Sequence, residues 1–184
     1  MSAKTQHIVE AAKTLFTRYG FTKTTIGDIA VEAGVARQTL YNAFPSKEDI
    51  LRAVVRDAGA QTLEAVKQEW AETDEIDAKL EAFLRHGPLT WFEGMRQSPD
   101  WADLMEGVHS AARDEMQQIT QDWRAAFRDM FAASIPNPEH TKVPLADLVD
   151  FFYAGSMNAK YGVDNIDDLK RRLGTIKVAT LALI

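Results

Sequence analysis

Apolar residues recur along most of this chain at intervals of three and four, and almost nowhere at intervals of two, which predicts helices and few strands. Ile8, Ala12, Leu15, Phe16 and Tyr19 form the first such stripe, and Gly20 follows as a stop signal, closing helix one. Thr25, with Asp28 three residues later, has the spacing of a capping box. It opens a helix two of about two turns, whose Ile29, Ala30 and Ala33 face inward and which Gly34 ends. Val35 and Ala36 leave only a tight link before "RQTLYNAF", a third short helix with Leu40 and Phe44 inward. Pro45 stops it, because proline disfavours helical geometry in the residue before it. Ser46 and Asp49 repeat the capping spacing for helix four, where Ile50, Leu51, Val54, Val55 and Ala58 carry the stripe toward Trp70.

About five more helices follow. The first carries Leu80, Phe83 and Leu84 from about Ile76, and "HGP" at 86–88 should kink or break it, since proline removes a backbone donor and clashes one turn back. "PLTWFEGMRQ" resumes until Ser98 and Pro99, and "DWADLMEGV" starts a short helix capped by Asp100. A long helix with Met116, Ile119, Trp123, Phe127, Met130 and Phe131 as its buried stripe comes next. The loop "IPNPEHTKVP", with Pro136, Pro138 and Pro144, separates it from two last helices, Leu145 to Gly162 and Ile166 to the end. No repeat or low-complexity tract interrupts the chain, and helix four is expected to be the one continuous element shared by both halves.

Composition narrows the classes. Hydrophobic residues make up 46% of the 184, enough for a globular core, and there is no cysteine, which removes disulfides and thiol chemistry. No apolar run reaches the roughly 20 residues of a membrane span, and the N-terminus lacks the apolar core of a signal peptide. A soluble cytoplasmic protein with no membrane partner is the expectation. Net charge is −6, yet residues 1–47 hold six basic against three acidic side chains, a net of +3, and the remainder 15 against 24, a net of −9. Such an asymmetry separates a part suited to phosphate from a part repelled by it.

Two short helices joined by a glycine-containing turn and packed on a longer one describe a helix-turn-helix. With Leu40 and Phe44 inward, Arg37, Gln38, Tyr41 and Asn42 fall on the free face of the second short helix, near the end where base contacts are made. Arginine pairs with guanine, and glutamine or asparagine with adenine, because their planar forks match major-groove edges. Thr25 and Lys47 stand at neighbouring helix N-termini, where a hydroxyl, an ammonium and free amides can hold phosphates.

The stretch from Thr24 to Leu51, "TTIGDIAVEAGVARQTLYNAFPSKEDIL", resembles the DNA-binding segment of the TetR family of bacterial transcription regulators, most closely in the paired threonines, "IA", "AGV", "TLY" and "FPSKEDIL". The resemblance extends more loosely over residues 5–60. It implies an all-α homodimer bound to a palindromic double-stranded DNA operator, usually as a repressor that a small-molecule effector releases by entering the C-terminal core. The division would then be a helix-turn-helix domain over 1–47 and a helical ligand-binding and dimerisation domain over 48–184. Carried over by position, Arg37, Gln38 and Asn42 become base readers, and Thr25, Thr39, Tyr41 and Lys47 phosphate contacts. Gly27 departs from relatives that reach DNA with a long side chain near that point, which shifts readout toward helix three.

In the C-terminal part, Trp91, Phe92, Met95, Met105, His109, Met116, Trp123 and Phe127 surround the "HGP" kink. They suit either an adaptable, mostly apolar ligand pocket or an ordinary packed core. Leu148, Phe152, Gly155 and Ala159 on one of the last two helices, with Leu173, Ile176 and Leu183 on the other, read as a dimer seam in which Gly155 and Ala159 allow close approach. The alternative is a ligand-independent operator binder whose C-terminal domain only dimerises or binds a protein partner. An enzyme is a remote third reading, since HExxH, Walker A, GxGxxG and GxSxG are all missing from the sequence. No cofactor and no metal site are expected; His86 and His109 are the nearest to metal-ligand candidates.

Overall fold

A computed structural model describes residues 2–98, 100–136 and 141–184, and its regular structure over those residues is entirely helical. The helices are α1 (Ala3–Tyr19), α2 (Ile26–Glu32), α3 (Arg37–Ala43), α4 (Lys47–Ala71), α5 (Ile76–Leu84), α6 (Thr90–Gln97), α7 (Trp101–Ala111), α8 (Arg113–Ser134), α9 (Leu145–Asn158) and α10 (Ile166–Leu183). A π-helical turn over Arg85–Leu89 joins α5 to α6. The "HGP" segment therefore neither breaks nor ends the helix: widening the turn lets the chain pass Pro88 and its missing donor while staying helical.

The chain divides into two compact units, one of Met1–Ala60 with Met95–Ile119, the other of Gln61–Gly94 with Thr120–Ile184. The first is wider than residues 1–47, because α7 and the start of α8 join it. Helix four does not join the halves alone: the chain passes from one unit to the other inside α4, inside α6 and inside α8.

In the first unit the α1 stripe of Ile8, Ala12, Leu15 and Phe16 is buried against Ile29, Ala30, Leu40, Ile50 and Leu51. Leu104, Val108 and Ala112 complete this core. Tyr19, expected on the stripe, is 44% exposed: it is the last residue of α1, where the chain turns away at Gly20. Asp100 stands at the start of α7 but makes no side-chain cap, because its carboxylate accepts from Lys23 Nζ at 2.7 Å.

In the second unit Phe83, Trp123, Phe127 and Phe152 are buried and their rings pack edge-on or tilted, with centroids 4.8 Å apart for Phe83–Trp123 and Phe83–Phe127 and 5.2 Å for Phe127–Phe152. Trp70, Phe131 and Tyr153 extend this cluster. Met116 is not part of the buried stripe of α8; it is 41% exposed. Among the described residues six helices follow α4, and α9 ends at Asn158, four residues short of Gly162. Of the prolines expected to break helices, Pro99 and Pro138 lie outside the described residues.

Candidate nucleic-acid interface

The α2–α3 geometry follows from its caps. Thr25 Oγ1 accepts from the Asp28 amide at 3.2 Å and the Asp28 carboxylate accepts from the Thr25 amide at 2.9 Å, so the capping box is complete. The Thr25 hydroxyl also donates to that carboxylate at 2.7 Å, and these bonds hold the Asp28 carboxyl below its ordinary range. At the turn, Gly34 has φ of 63°, a left-handed conformation that glycine adopts without steric cost. α3 then starts at Arg37, with Leu40 fully buried and Phe44 nearly so, and α4 is capped by Ser46, whose hydroxyl accepts from the Asp49 amide at 3.1 Å.

This packing leaves Arg37, Gln38, Tyr41 and Asn42 exposed on one side of α3, with Thr39 half-buried. Gln38 Nε2 donates to Asn42 Oδ1 at 3.0 Å, the reach expected of an i, i+4 pair. That bond orients both amides while Gln38 keeps an acceptor oxygen and Asn42 its donor nitrogen, the pattern that meets adenine N6 and N7. The placement of Arg37 is not legible from spacing. A Cβ added to Gly27 would lie 2.7 Å from Arg37 Nη2 and 3.1 Å from Cζ, so the guanidinium lies across the bare backbone of α2.

Two residues expected to hold phosphates have partners already. The Thr25 hydroxyl is engaged in its box, and Lys47 Nζ donates to the carbonyls of Phe21 at 2.8 Å and Thr24 at 3.0 Å, with the Phe21 ring beside it. Lys47 thus ties the start of α4 to the α1–α2 turn. The same turn is held by α7: the Thr22 amide donates to Asp103 at 2.8 Å, the Thr22 hydroxyl donates to the same carboxylate, and Lys23 pairs with Asp100. These bonds, the Thr22 hydroxyl foremost, hold the Asp103 carboxyl below its ordinary range. Nothing in the sequence marks Asp100 and Asp103, about 80 residues away, as partners of that turn; only the fold brings them together.

The other expected residues scatter. Trp123 and Phe127 belong to the packed ring cluster, and Phe92 is buried. Met105 packs against the core of the first unit, whereas His109 and Met116 are exposed and Met95 is half-buried. A cleft of about 480 Å³ in the second unit is lined by Lys67, Trp70, Lys79, Asp122, Asp129 and Met130 among others, none of them an expected ligand contact. A second, of about 420 Å³, lies in the first unit by Arg52, Arg113 and Glu115 and takes in His109 alone of that set. Along the expected dimer seam, Leu148, Phe152 and Leu173 are buried within the chain itself. Ala159 is also buried, Ile176 and Leu183 are half-buried, and a Cβ on Gly155 would stand 3.6 Å from Ile176, so the glycine serves the packing of α9 on α10. The large apolar side chains that these two helices leave open are those of Phe151 and Val178.

No group of three or more metal-ligating side chains occurs among the described residues, and no helix there is long and apolar enough to cross a membrane.

The profile of bacterial regulatory proteins of the tetR family matches residues 8–54. The HTH-type transcriptional regulator YfiR of Bacillus subtilis (strain 168) is 34% identical over 156 residues, which is 79% of this chain and 72% of that protein. The HTH-type transcriptional regulator RutR of Escherichia coli (strain K12) is 31% identical over 133 residues, 67% of this chain and 63% of its own length. A crystal structure of a TetR transcription regulator from Haloarcula marismortui ATCC 43049 shares the fold, with a TM-score of 0.78 at 19% identity, covering 100% of this chain and 99% of that one.

Proposed function

Because the chain belongs to the TetR family of bacterial transcription regulators, and is a DNA-binding regulator rather than an enzyme, we propose that it acts as a homodimeric repressor at a palindromic operator. The observation that carries this reading is the free face of α3, where Gln38 and Asn42 are exposed and bonded to each other opposite the buried Leu40. Such a pair has its edge atoms oriented before DNA arrives, so less conformational freedom is lost on binding. An acidic bulk is compatible with DNA binding because only the basic-rich N-terminal segment meets phosphate.

Dimerisation through α9 and α10 uses the faces left open by internal packing, centred on Phe151 and Val178, with Gly174 offering unobstructed backbone. Burying such exposed apolar area is what a closed symmetric pair supplies. Soluble, cytoplasmic residence accords with this reading.

Release by a small-molecule effector is the further part of the reading. Trp123 and Phe127 pack with Phe83, at ring centroids 4.8 Å from it, and an effector that reached them would have to part these rings. The ligand-independent operator binder is the competing reading.

Selection of DNA from a random-sequence pool tests the operator proposal. It expects enrichment of inverted repeats whose half-sites are centred about one helical turn, 34 to 36 Å, or a multiple of it apart. Enrichment of an unrepeated site, or none at all, contradicts it.

A further inference from the structure

Lys160 lies one turn beyond Ser156, just past the end of α9, and its Nζ stands 3.7 Å from the centroid of the Trp91 ring and 5.4 Å from that of Tyr161. Its ammonium is largely withdrawn from water, yet no carboxylate or hydrogen-bond acceptor of the described residues pairs with it. Burial alone pushes this lysine down to about 8. Several other lysines held by structural contacts have oxygen partners: Lys23 has Asp100, Lys47 has carbonyls, Lys177 has Asp77 and Glu81. Arg172 donates to the carbonyls of Tyr161 at 2.9 Å and Gly162 at 2.8 Å, fixing the turn that carries Lys160. One turn earlier on the same helical side, the Ser156 hydroxyl is fully buried and has no hydrogen-bond partner. The π-helical turn that leads into Trp91 packs against both α9 and α10.

A desolvated ammonium without a counter-charge and a buried hydroxyl without a partner are each unfavourable. One ligand group relieves both: an oxyanion accepts from the ammonium and the hydroxyl together. The aromatic faces beside it favour an apolar body behind that anion.

We propose that Lys160, Ser156 and Trp91 form a binding site for a small monocarboxylate with an apolar tail. The carboxylate bonds Lys160 Nζ and the Ser156 hydroxyl, and the tail lies against Trp91. The site names the chemical class of the effector proposed above and rests on that reading only for its consequence at the operator. Binding itself is measured without DNA, so the two ideas fail separately.

Hexanoate is the probe, with 1-hexanol as its uncharged control, followed by calorimetry on the full chain at pH 7. Saturable hexanoate binding, at least tenfold tighter than 1-hexanol, is expected. Lys160→Met keeps the stem against Trp91 and should weaken hexanoate at least tenfold without lowering the melting temperature, and Ser156→Ala should weaken it severalfold. Absence of saturable binding overturns the proposal, as does equal binding of the alcohol or unchanged affinity in Lys160→Met. If Lys160→Met instead dissociates the dimer in sedimentation while hexanoate binding persists, the counter-charge comes from a second copy of the chain, and the proposal is likewise overturned.

Discussion

Arg37 of α3 and Gly27 of α2 are in direct contact: the guanidinium occupies the space that any side chain at position 27 would fill. The glycine that leaves α2 without a long side chain toward DNA is also what sets the resting place of the arginine next to it. Arg37→Ala should cost about 1 to 3 kcal/mol on the operator and relax preference at one base pair per half-site. Gly27→Ala, which leaves α2 helical but displaces the guanidinium, should alter preference at that same base pair, and the double variant should show less than the summed effect. Strict additivity in competitive DNA titrations would separate the two residues.

Lys47 gives a contrasting outcome. Its ammonium bonds the carbonyls of Phe21 and Thr24, so Lys47→Ala removes charged hydrogen bonds inside the fold and not only the proposed phosphate contact. Hydrogen bonds to charged groups contribute about 1.5 to 3 kcal/mol, so thermal unfolding should move down by several degrees. DNA affinity should fall equally on operator and random sequence, and a sequence-selective loss in the titrations would contradict this role.

For the dimer, internal burial sorts the candidates. Val178→Asp places a charge on an exposed face of α10 and should yield a folded monomer in sedimentation at micromolar concentration. Leu148→Asp places one in a fully buried position and should unfold the chain instead. A Val178→Asp dimer as tight as wild type rules out the open face.

Lys160 makes stability depend on pH in a defined direction. Its folded value is lowered to about 8 by burial, against 10.5 as the ordinary value, so between those two the unfolded chain binds more protons. Stability should therefore rise as pH increases from 8 to 10.5, and the cost of the buried charge is fully present below 8. Lys160→Met should be more stable than wild type at pH 7, by an amount the Trp91 stack reduces, and the gap should close toward pH 10.5. Parallel denaturation curves for the two proteins across that range would contradict the assignment.

The helix-turn-helix was legible because its determinants are local. Thr25 with Asp28, Gly34, Leu40 with Phe44 and Ser46 with Asp49 each act within four residues, and all appear where their spacing places them. The π-helical turn was legible as a disturbance at "HGP" but not as a continuation, since spacing does not tell a broken helix from a widened one. Periodicity marks which residues of α9 are apolar without saying what covers them: Leu148 and Phe152 are fully buried in their own chain, and Phe151 is left 44% exposed. The Asp103–Thr22 and Lys160–Trp91 contacts join residues dozens of positions apart, and no local rule reaches that far.

The proposed function stands or falls with sequence reading by the exposed side of α3. Competitive titration of the selected operator against a scrambled duplex, with wild type, Gln38→Ala and Asn42→Ala, tests it most directly. Both variants should keep their affinity for scrambled DNA and lose tenfold or more on the operator, about 1 to 3 kcal/mol for the lost base contacts. Equal losses on both duplexes, or full operator affinity in both variants, would contradict it.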